Sequence, residues 1–498
     1  PAGQLVSYYP LQEMCPIELS SDKSLVASYD MSSVSMFSVK LDLLGLRGVS
    51  VVDDVCKAIG IDMMSIDLND PLIYQSLQKL DCQHGLFQIE ANLAHKVVNK
   101  VKPKNLDELS AVLGLSRPGT MAFIDQYADY TCHDIYNPIH PFFDDILKPT
   151  GGICIFQESL LKMVHKIGFS LEEAETVRKL IGKKLIDEMK NWEKKISDKI
   201  IENKLDPKIG EILWKIAEAS AKYQFCKAHS HAYSALTAST VYLKNKYPQQ
   251  FFLSLLKMSL HEPDTAGEIF KIQKEMPAFG VNLLPPSIIS SKDTFSIEGK
   301  NIRYGFLAIK GVAEKAMQKL NDFRGEYSNK LELFEAANKS GLGMGVLCPL
   351  IQAGCLENHE KDKKESRSYT VYQAQLWNIL TPREKKVALD IGGECEYSIV
   401  NILKKMLTMK DLKGKPLLKE SRLATIKKNS KSFTEIYSAN KKYEKLANWF
   451  YESTLLGYSY SSCLSELFST PDLTCVPLNQ VVKQVGKSLY FAGVVGDK

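Results

Sequence analysis

The sequence predicts an α+β fold that is predominantly α-helical, and three observations predict it. Residues 1 to about 50 hold short apolar segments separated by turns such as Tyr9-Pro10 and Ser20-Ser21-Asp22, the pattern of strands. From residue 51 to about 260 the apolar period lengthens to that of helices, as in Val51-Val52-Asp53-Asp54-Val55-Cys56-Lys57-Ala58-Ile59-Gly60 with Gly at the stop. Beyond about 260 short strands, glycine turns and helices follow one another again.

Composition sets the limits. With 498 residues, 45% hydrophobic and 24% charged, the chain is long enough for several domains and is neither disordered nor fibrous. Lys+Arg 63 against Asp+Glu 58 leaves a formal net charge of +5, so any basic surface for a polyanion has to be local. The 11 cysteines include no C-x-x-C pair, which suits reduced thiols and speaks against a disulfide framework or a structural zinc. No signal-peptide pattern or bilayer-length apolar run is visible, so a cytoplasmic location is expected. The start at Pro1 and the final Leu489-Tyr490-Phe491-Ala492-Gly493-Val494-Val495-Gly496, which reads as the first strand of a β domain, suggest a piece of a longer polypeptide.

The strand-rich start ends in Val39-Lys40-Leu41-Asp42-Leu43-Leu44-Gly45-Leu46-Arg47. Strand alternation puts Lys40, Asp42 and Leu44 on one face and Val39, Leu41 and Leu43 on the other. A cation beside a carboxylate suits a place where a metal ion and a phosphate meet: Asp42 offers a hard oxygen to Mg²⁺, Lys40 a point charge. A strand whose Lys and Asp merely meet solvent is the plain alternative.

Four polar clusters interrupt the helical region. Gly85-Leu86-Phe87-Gln88-Ile89-Glu90 is followed by Leu115-Ser116-Arg117-Pro118-Gly119-Thr120-Met121, where a Pro-Gly turn can hold the Arg117 guanidinium at a set angle. Gln157-Glu158 comes next. Arg178, Lys179, Lys183 and Lys184 then surround Gly182, either as a clamp for a triphosphate or as a solvated charged face. The fourth cluster, Tyr223 to Tyr233, is placed directly ahead of a long amphipathic helix running from Ala235 to Tyr247 and stopped by Pro248. In it Lys227 and His229 can meet phosphates and Tyr233 can lie against a base. His229-x-His231 has no third metal ligand nearby.

Past residue 260, Lys310-Gly311 is expected at a helix start, where backbone N–H groups can face a phosphate oxygen, with Ala313 in place of a second glycine. A partner helix runs from Val346 to a Gly354 cap, and the Lys-rich stretch from Glu360 to Arg367 reads as a linker. Gln373, Leu376 and Trp377 form either a short peptide that docks in a partner groove or an ordinary helix turn. Residues 400–432 are Lys-rich, a solvated surface or a weak DNA-backbone contact.

Taken in order, these segments resemble the bacterial family-C replicative DNA polymerases, the polymerase III alpha subunits. The family pattern K-x-D-x-L-G-L-R is matched by Lys40 to Arg47, G-x-F-Q-x-E by residues 85–90, R-P-G-x-M by 117–121 and Q-E by Gln157-Glu158. R-[RK]-x-x-G-K-K is matched by 178–184, and F-x-K-x-H-x-x-A-Y by Phe225, Lys227, His229, Ala232 and Tyr233. The likeness runs to about 357 and then thins.

That resemblance implies the end of a polymerase-beta-like palm at 1–50, fingers at 51–260, and a region at 261–475 that carries a helix-hairpin-helix (about 300–357) and a sliding-clamp contact. The start of an OB-fold would occupy 476–498. It implies a DNA-directed DNA polymerase, a nucleotidyltransferase that extends primer-template DNA with deoxynucleotides using two Mg²⁺ ions. Asp42 would be the third catalytic aspartate and a metal ligand. Lys40, Arg178, Lys179, Lys227, His229 and Tyr233 would meet the incoming dNTP, and Arg117, Lys183, Lys184, Lys310 and Gly311 the DNA. Gln373, Leu376 and Trp377 would be the clamp contact. The family's other two aspartates lie upstream of the equivalent of Pro1, so this chain is expected to be inactive by itself and to need a complementary polypeptide, or a missing N-terminal half, carrying them. The rival expectation is a non-catalytic, polymerase-derived DNA-binding or clamp-tethering protein.

Overall fold

The computed structural model describes residues 3–21, 23–43, 45–117, 120–183, 186–220, 225–356, 366–410, 414–470, 473–476 and 488–494, with backbone alone at 181–183, 186–190 and 218–220. The chain is α+β and mainly helical, and it divides into a unit of Pro1–Ser50 and a unit of Val51–Lys498. Among the described residues no helix is long and apolar enough to cross a membrane.

In the first unit, Gly3–Val6 pairs antiparallel with Val39–Asp42, and Ile17–Leu19 pairs with Leu25–Ala27. One-turn helices at Leu11–Met14 and Met31–Val34 join them. The strand is shorter than the motif that predicts it, stopping at Asp42. Its apolar face is open: Val39, Leu41 and Leu43 are all exposed, as are Tyr8, Leu19, Leu25 and Met36. Among the described residues the buried apolar side chains here are Cys15 and Val34, too few for a core that would hold these sheets by itself.

The second unit is built around the helix Lys227–Lys246. Small residues make that position possible. Ser230, Ser234, Thr237, Ala238 and Thr240 are buried, and short side chains let the Leu106–Leu115 and Pro71–Leu77 helices approach closely. Their hydroxyls are satisfied inside the core, Ser230 donating to the Ser110 carbonyl at 2.8 Å and Ser234 to the Ser230 carbonyl at 2.8 Å. The sequence placed the Lys227–Tyr233 cluster ahead of an amphipathic helix; instead it forms the first two turns of a mostly buried one. As expected, the helix stops just before Pro248, which stands in the first turn of the next helix, Pro248–Ser259, where its missing N–H costs no bond.

A second apolar cluster joins the helices Gln157–Lys166, Leu171–Lys183, Ile186–Glu202 and Pro207–Ser220 through Leu160, Met163, Val177, Ile196 and Leu213. Further on, a three-stranded sheet of Leu283–Leu284, Asn301–Arg303 and Ser296–Glu298 leads to helices at Met317–Phe323, Lys330–Lys339 and Met344–Gln352.

Three expectations need correction here. Lys310-Gly311 does not open a helix: a single 3-10 turn, Glu314–Ala316, and then Met317–Phe323 follow, and the Lys310 N–H is already spent on the Leu455 carbonyl at 3.0 Å. Gly311 holds φ +97, a turn that needs glycine. Gln373, Leu376 and Trp377 lie in the helix Arg367–Ile379 with 0%, 3% and 3% of their surfaces exposed, so no peptide edge is left to enter a groove. Arg367 is not the end of a linker but a buried cation, paired with Glu452 at 2.7 Å. Where the start of an OB-fold is expected, the described residues show a bridge between Cys475 and Tyr490, and residues 477–487 and 495–498 lie outside the described residues.

Candidate functional site

Side chains from four separate segments meet at the start of the Lys227–Lys246 helix. Phe156 is extended and bridges Phe225, with the Phe225 N–H donating to the Ile155 carbonyl at 3.3 Å and the Gln157 N–H to the Phe225 carbonyl at 3.0 Å. Glu158 then turns both carboxylate oxygens onto the Lys227 N–H, at 2.9 and 2.8 Å. A carboxylate on the orphan donors of a helix N-terminus is favoured by hydrogen bonding and by the helix dipole, so Glu158 anchors this end of the helix from 69 residues away.

Anchored so, the helix aligns a row of rings. The Arg117 guanidinium carbon lies 3.7 Å from the centre of the Phe225 ring. Phe225 meets His229 edge-on at 5.3 Å, His229 lies 4.1 Å from Tyr233, and Tyr233 lies 5.1 Å from Phe87. His229 and Tyr233 stand four residues apart on one helical face, which makes them neighbours. Arg117 and His229 are exposed and Tyr233 half-buried, so the row has an accessible side. Pro118 and Gly119, expected to fix Arg117, lie outside the described residues.

The Phe87 end is held to the same helix. The Phe87 N–H donates to the Thr240 hydroxyl at 3.2 Å and its carbonyl accepts from the Thr237 hydroxyl at 3.0 Å. The next residue, Gln88, is exposed and sits at φ +62, a left-handed conformation that costs a side-chain-bearing residue about 1–2 kcal/mol. Lys244 holds the base of the loop, its ammonium donating to the Cys82 and His84 carbonyls at 3.0 and 2.7 Å and to Glu275 at 2.6 Å. Burial pushes the Lys244 ammonium below its ordinary value, against the pull of Glu275.

Cations border the row. The Lys227 ammonium lies 3.5 Å from Asp107, which also stands 3.2 Å from His231 Nε2. His231 is thus engaged by Asp107, and among the described residues His229 and His231 belong to no cluster of three or more ligating side chains. Arg178 grips Glu175 with Nε at 2.7 Å and Nη2 at 2.6 Å, leaving Nη1 3.4 Å from the Gln157 side-chain oxygen. The Glu175 hydrogen bonds raise the Arg178 guanidinium above its ordinary value and hold the Glu175 carboxyl below its own. Lys179 is exposed and 3.6 Å from the same carboxylate. Only the backbone of Lys183 is described, and Lys184 lies outside the described residues.

Of the predicted set, Arg117, Lys227, His229, Tyr233 and Arg178 come together; Lys310, Gly311, Gln373, Leu376 and Trp377 belong to other parts of the second unit. Sequence reasoning missed the carboxylates Glu175 and Asp107. Glu175 was findable, three residues before Arg178 on one helix face; Asp107 left no local signal.

Lys40 and Asp42 stand in the first unit as predicted, on one face and 3.0 Å apart. A Cβ on Gly3, across the sheet from Asp42, would run into both side chains, so glycine there keeps the pair in contact. The Asp42 carboxylate is 54% exposed and can serve as a metal ligand. Among the described residues it belongs to no cluster of three or more ligating side chains.

Comparison with known proteins follows the same outline. Residues 49–204 match the model of the bacterial DNA polymerase III alpha subunit finger domain, and residues 280–366 match a helix-hairpin-helix motif. The chain belongs to the bacterial DNA polymerase III alpha family. It is 31% identical over 380 residues to the DNA polymerase III subunit alpha of Aquifex aeolicus, covering 73% of this chain and 32% of that one. It is 28% identical to the Thermus aquaticus subunit over 72% of this chain and 30% of the relative, and 31% identical to that of Campylobacter jejuni over 80% and 34%. The chain thus spans about a third of the length of the polymerase III alpha subunits it matches. The finger match contains Arg117, Gln157, Glu158 and Arg178 and stops short of the Lys227–Lys246 helix.

Proposed function

We propose that this chain supplies the fingers and one catalytic carboxylate of a replicative DNA polymerase that adds deoxynucleotides to a DNA 3′ end. The observation that carries the reading is the continuous row Arg117–Phe225–His229–Tyr233–Phe87, bordered by Lys227 and Arg178. A π-face accepts any base, worth about 1–3 kcal/mol per stacked base, which suits an enzyme that handles all four nucleotides. Cations beside that face meet phosphate without reading base identity. Arg178 is a positioned donor: Glu175 fixes two of its nitrogens and leaves Nη1 toward Gln157, the side on which a phosphate oxygen would be met.

Asp42 and Lys40 would stand at the metal ions, Asp42 as one oxygen ligand and Lys40 holding that carboxylate and a phosphate. When bound, two Mg²⁺ ions would activate the 3′ hydroxyl and neutralise the leaving oxygens. The remaining ligands would come from polymerase protein outside these residues, whether a second polypeptide or an N-terminal part of the same one, and it would cover the exposed Val39, Leu41 and Leu43.

The direct test places 2-aminopurine at the primer terminus of a primer-template and follows its quenching by this chain. Wild type should quench it, and Phe225→Leu and Tyr233→Leu should lose most of the effect. Equal quenching by all three proteins would overturn the stacking role. With a polypeptide carrying the other two aspartates added, Asp42→Ala should abolish primer extension; extension at the wild-type rate would remove Asp42 from the chemistry.

A further inference from the structure

Outside the ring row, one imidazole stands among carboxylates of two different segments. His84 keeps 6% of its surface exposed, on the loop held by Lys244. Its Nδ1 lies 2.5 Å from a Glu90 oxygen and its Nε2 lies 3.3 Å from Glu268 Oε2 on the helix Thr265–Glu275. One ligand atom from each of the three lies within 4.8 Å of the others. Nε2 is buried and has no hydrogen-bond partner.

The two ring nitrogens are thus not equivalent. Glu90 accepts a hydrogen bond from Nδ1–H, and an Nε2 without a proton turns its lone pair toward the Glu268 oxygen. Two lone pairs facing each other in a buried place repel unless a cation lies between them. A proton would draw the pair to about 2.7–2.9 Å and align it. The observed 3.3 Å gap matches the roughly 3.3–3.4 Å that separates nitrogen and oxygen ligands about 2.0–2.1 Å from a tetrahedral ion. Glu90 and Glu268 flank the ring, Glu275 accepts from the His84 backbone N–H at 3.1 Å, and two ammonium groups stand beside Glu275 and Glu268. Those are Lys244, 2.6 Å from Glu275, and Lys271, 2.7 Å from Glu268 Oε1.

We propose that His84 Nε2 and Glu268 Oε2 bind a first-row divalent transition ion of the Zn²⁺ class, with Glu90 behind the imidazole fixing its tautomer and water completing the coordination. A carboxylate on the far nitrogen of a metal-bound histidine is the usual support for such a ligand. An imidazole ligand favours Zn²⁺ or Co²⁺ over Mg²⁺, so this site is distinct in chemistry from the Asp42 site. It would tie the loop that presents Phe87 to the Thr265–Glu275 helix, and it does not depend on the polymerase reading.

The test uses the tag-free, chelator-stripped full chain, titrated with Zn²⁺ against a chromogenic chelator and with Co²⁺ by visible absorption. Expected are one tight Zn²⁺ per chain, Co²⁺ d–d bands without sulfur charge transfer, and a rise in Tm on adding Zn²⁺. Glu268→Gln should weaken Zn²⁺ about a hundredfold and lose the Tm rise, Glu90→Gln should weaken it about tenfold, and the exposed His261→Gln should match wild type. Glu268→Gln is nearly isosteric, and far-UV circular dichroism of the stripped variants verifies that they fold. No stoichiometric uptake, equal uptake by Glu268→Gln, thiolate charge transfer, or an NMR signal showing His84 still protonated on both nitrogens after Zn²⁺ is added would each overturn the proposal.

Discussion

Glu158 shows how much one side chain can decide, because its two oxygens fix the helix end from which Lys227, His229 and Tyr233 project. Glu158→Gln keeps the shape but removes the charge and one acceptor, and should cost about 1 kcal/mol of stability, read as a lowered Tm. An unchanged Tm would remove Glu158 from that anchoring role. At Arg178, alanine should raise the apparent KM for all four dNTPs alike in the complemented polymerase, since a phosphate contact carries no base identity. A change confined to one base would count against the assignment. Elsewhere Glu384 carries a pH signature: burial raises its carboxyl, but the Arg422 fork at 2.8 and 2.9 Å and the Thr381 bonds outweigh that and leave it below 4.5. A folded-state value below the unfolded one means the pair's contribution is fully present above about pH 4.5 and fades as pH falls through the lower value. Urea melts between pH 7 and 3 should therefore show a loss in wild type that is reduced in Glu384→Gln.

Among the elements, the Lys227–Lys246 helix both fills the core and faces the site. Its first turns carry the rings, its middle carries the hydroxyls that hold Phe87, and its last turns carry Lys244. The buried ammonium satisfies two carbonyls and Glu275 together. Lys244→Met would leave Glu275 without this ammonium and both carbonyls short of a donor, at a cost of about 3–5 kcal/mol. Equilibrium unfolding measures it; a loss below about 1 kcal/mol would show that water replaces the lysine easily. Thr237→Val and Thr240→Val, which keep the shape, should instead weaken stacking at the Phe87 end with a smaller loss of stability.

Across the whole molecule, two units of different character share one chain. The Val51–Lys498 unit buries large apolar clusters, while Pro1–Ser50 leaves both faces of its Val39–Asp42 strand to solvent. Amides without a core above them open locally at little cost. Hydrogen exchange of the isolated chain should thus be fast at residues 39–42 and slow at 238–243, the buried middle of the central helix. Slow exchange at 39–42 in the chain alone would mean that the first unit needs no covering partner.

The sequence by itself determined the helical character of the second unit and the family motifs. It also put Lys40 and Asp42 on one strand face, because helical and strand periods and i,i+2 or i,i+4 spacings are local properties of the chain. It located Arg117, Arg178, Lys227, His229 and Tyr233 as residues of interest without showing that the Phe225 ring joins two of them, Arg117 and His229. It fell short where the signal lay in distant contacts: Gln373-Ala374-Gln375-Leu376-Trp377 reads as a groove-docking peptide or an ordinary helix turn until packing buries it in a helix, and the Lys310 N–H is taken by Leu455, 145 residues on. Only the tertiary structure decided that Glu158 anchors the central helix, that Glu175 holds Arg178, and that His84 faces Glu90 and Glu268. These pairings join residues whose separations leave no periodic trace, and burial and hydrogen-bond satisfaction, which select them, exist only once the chain is packed.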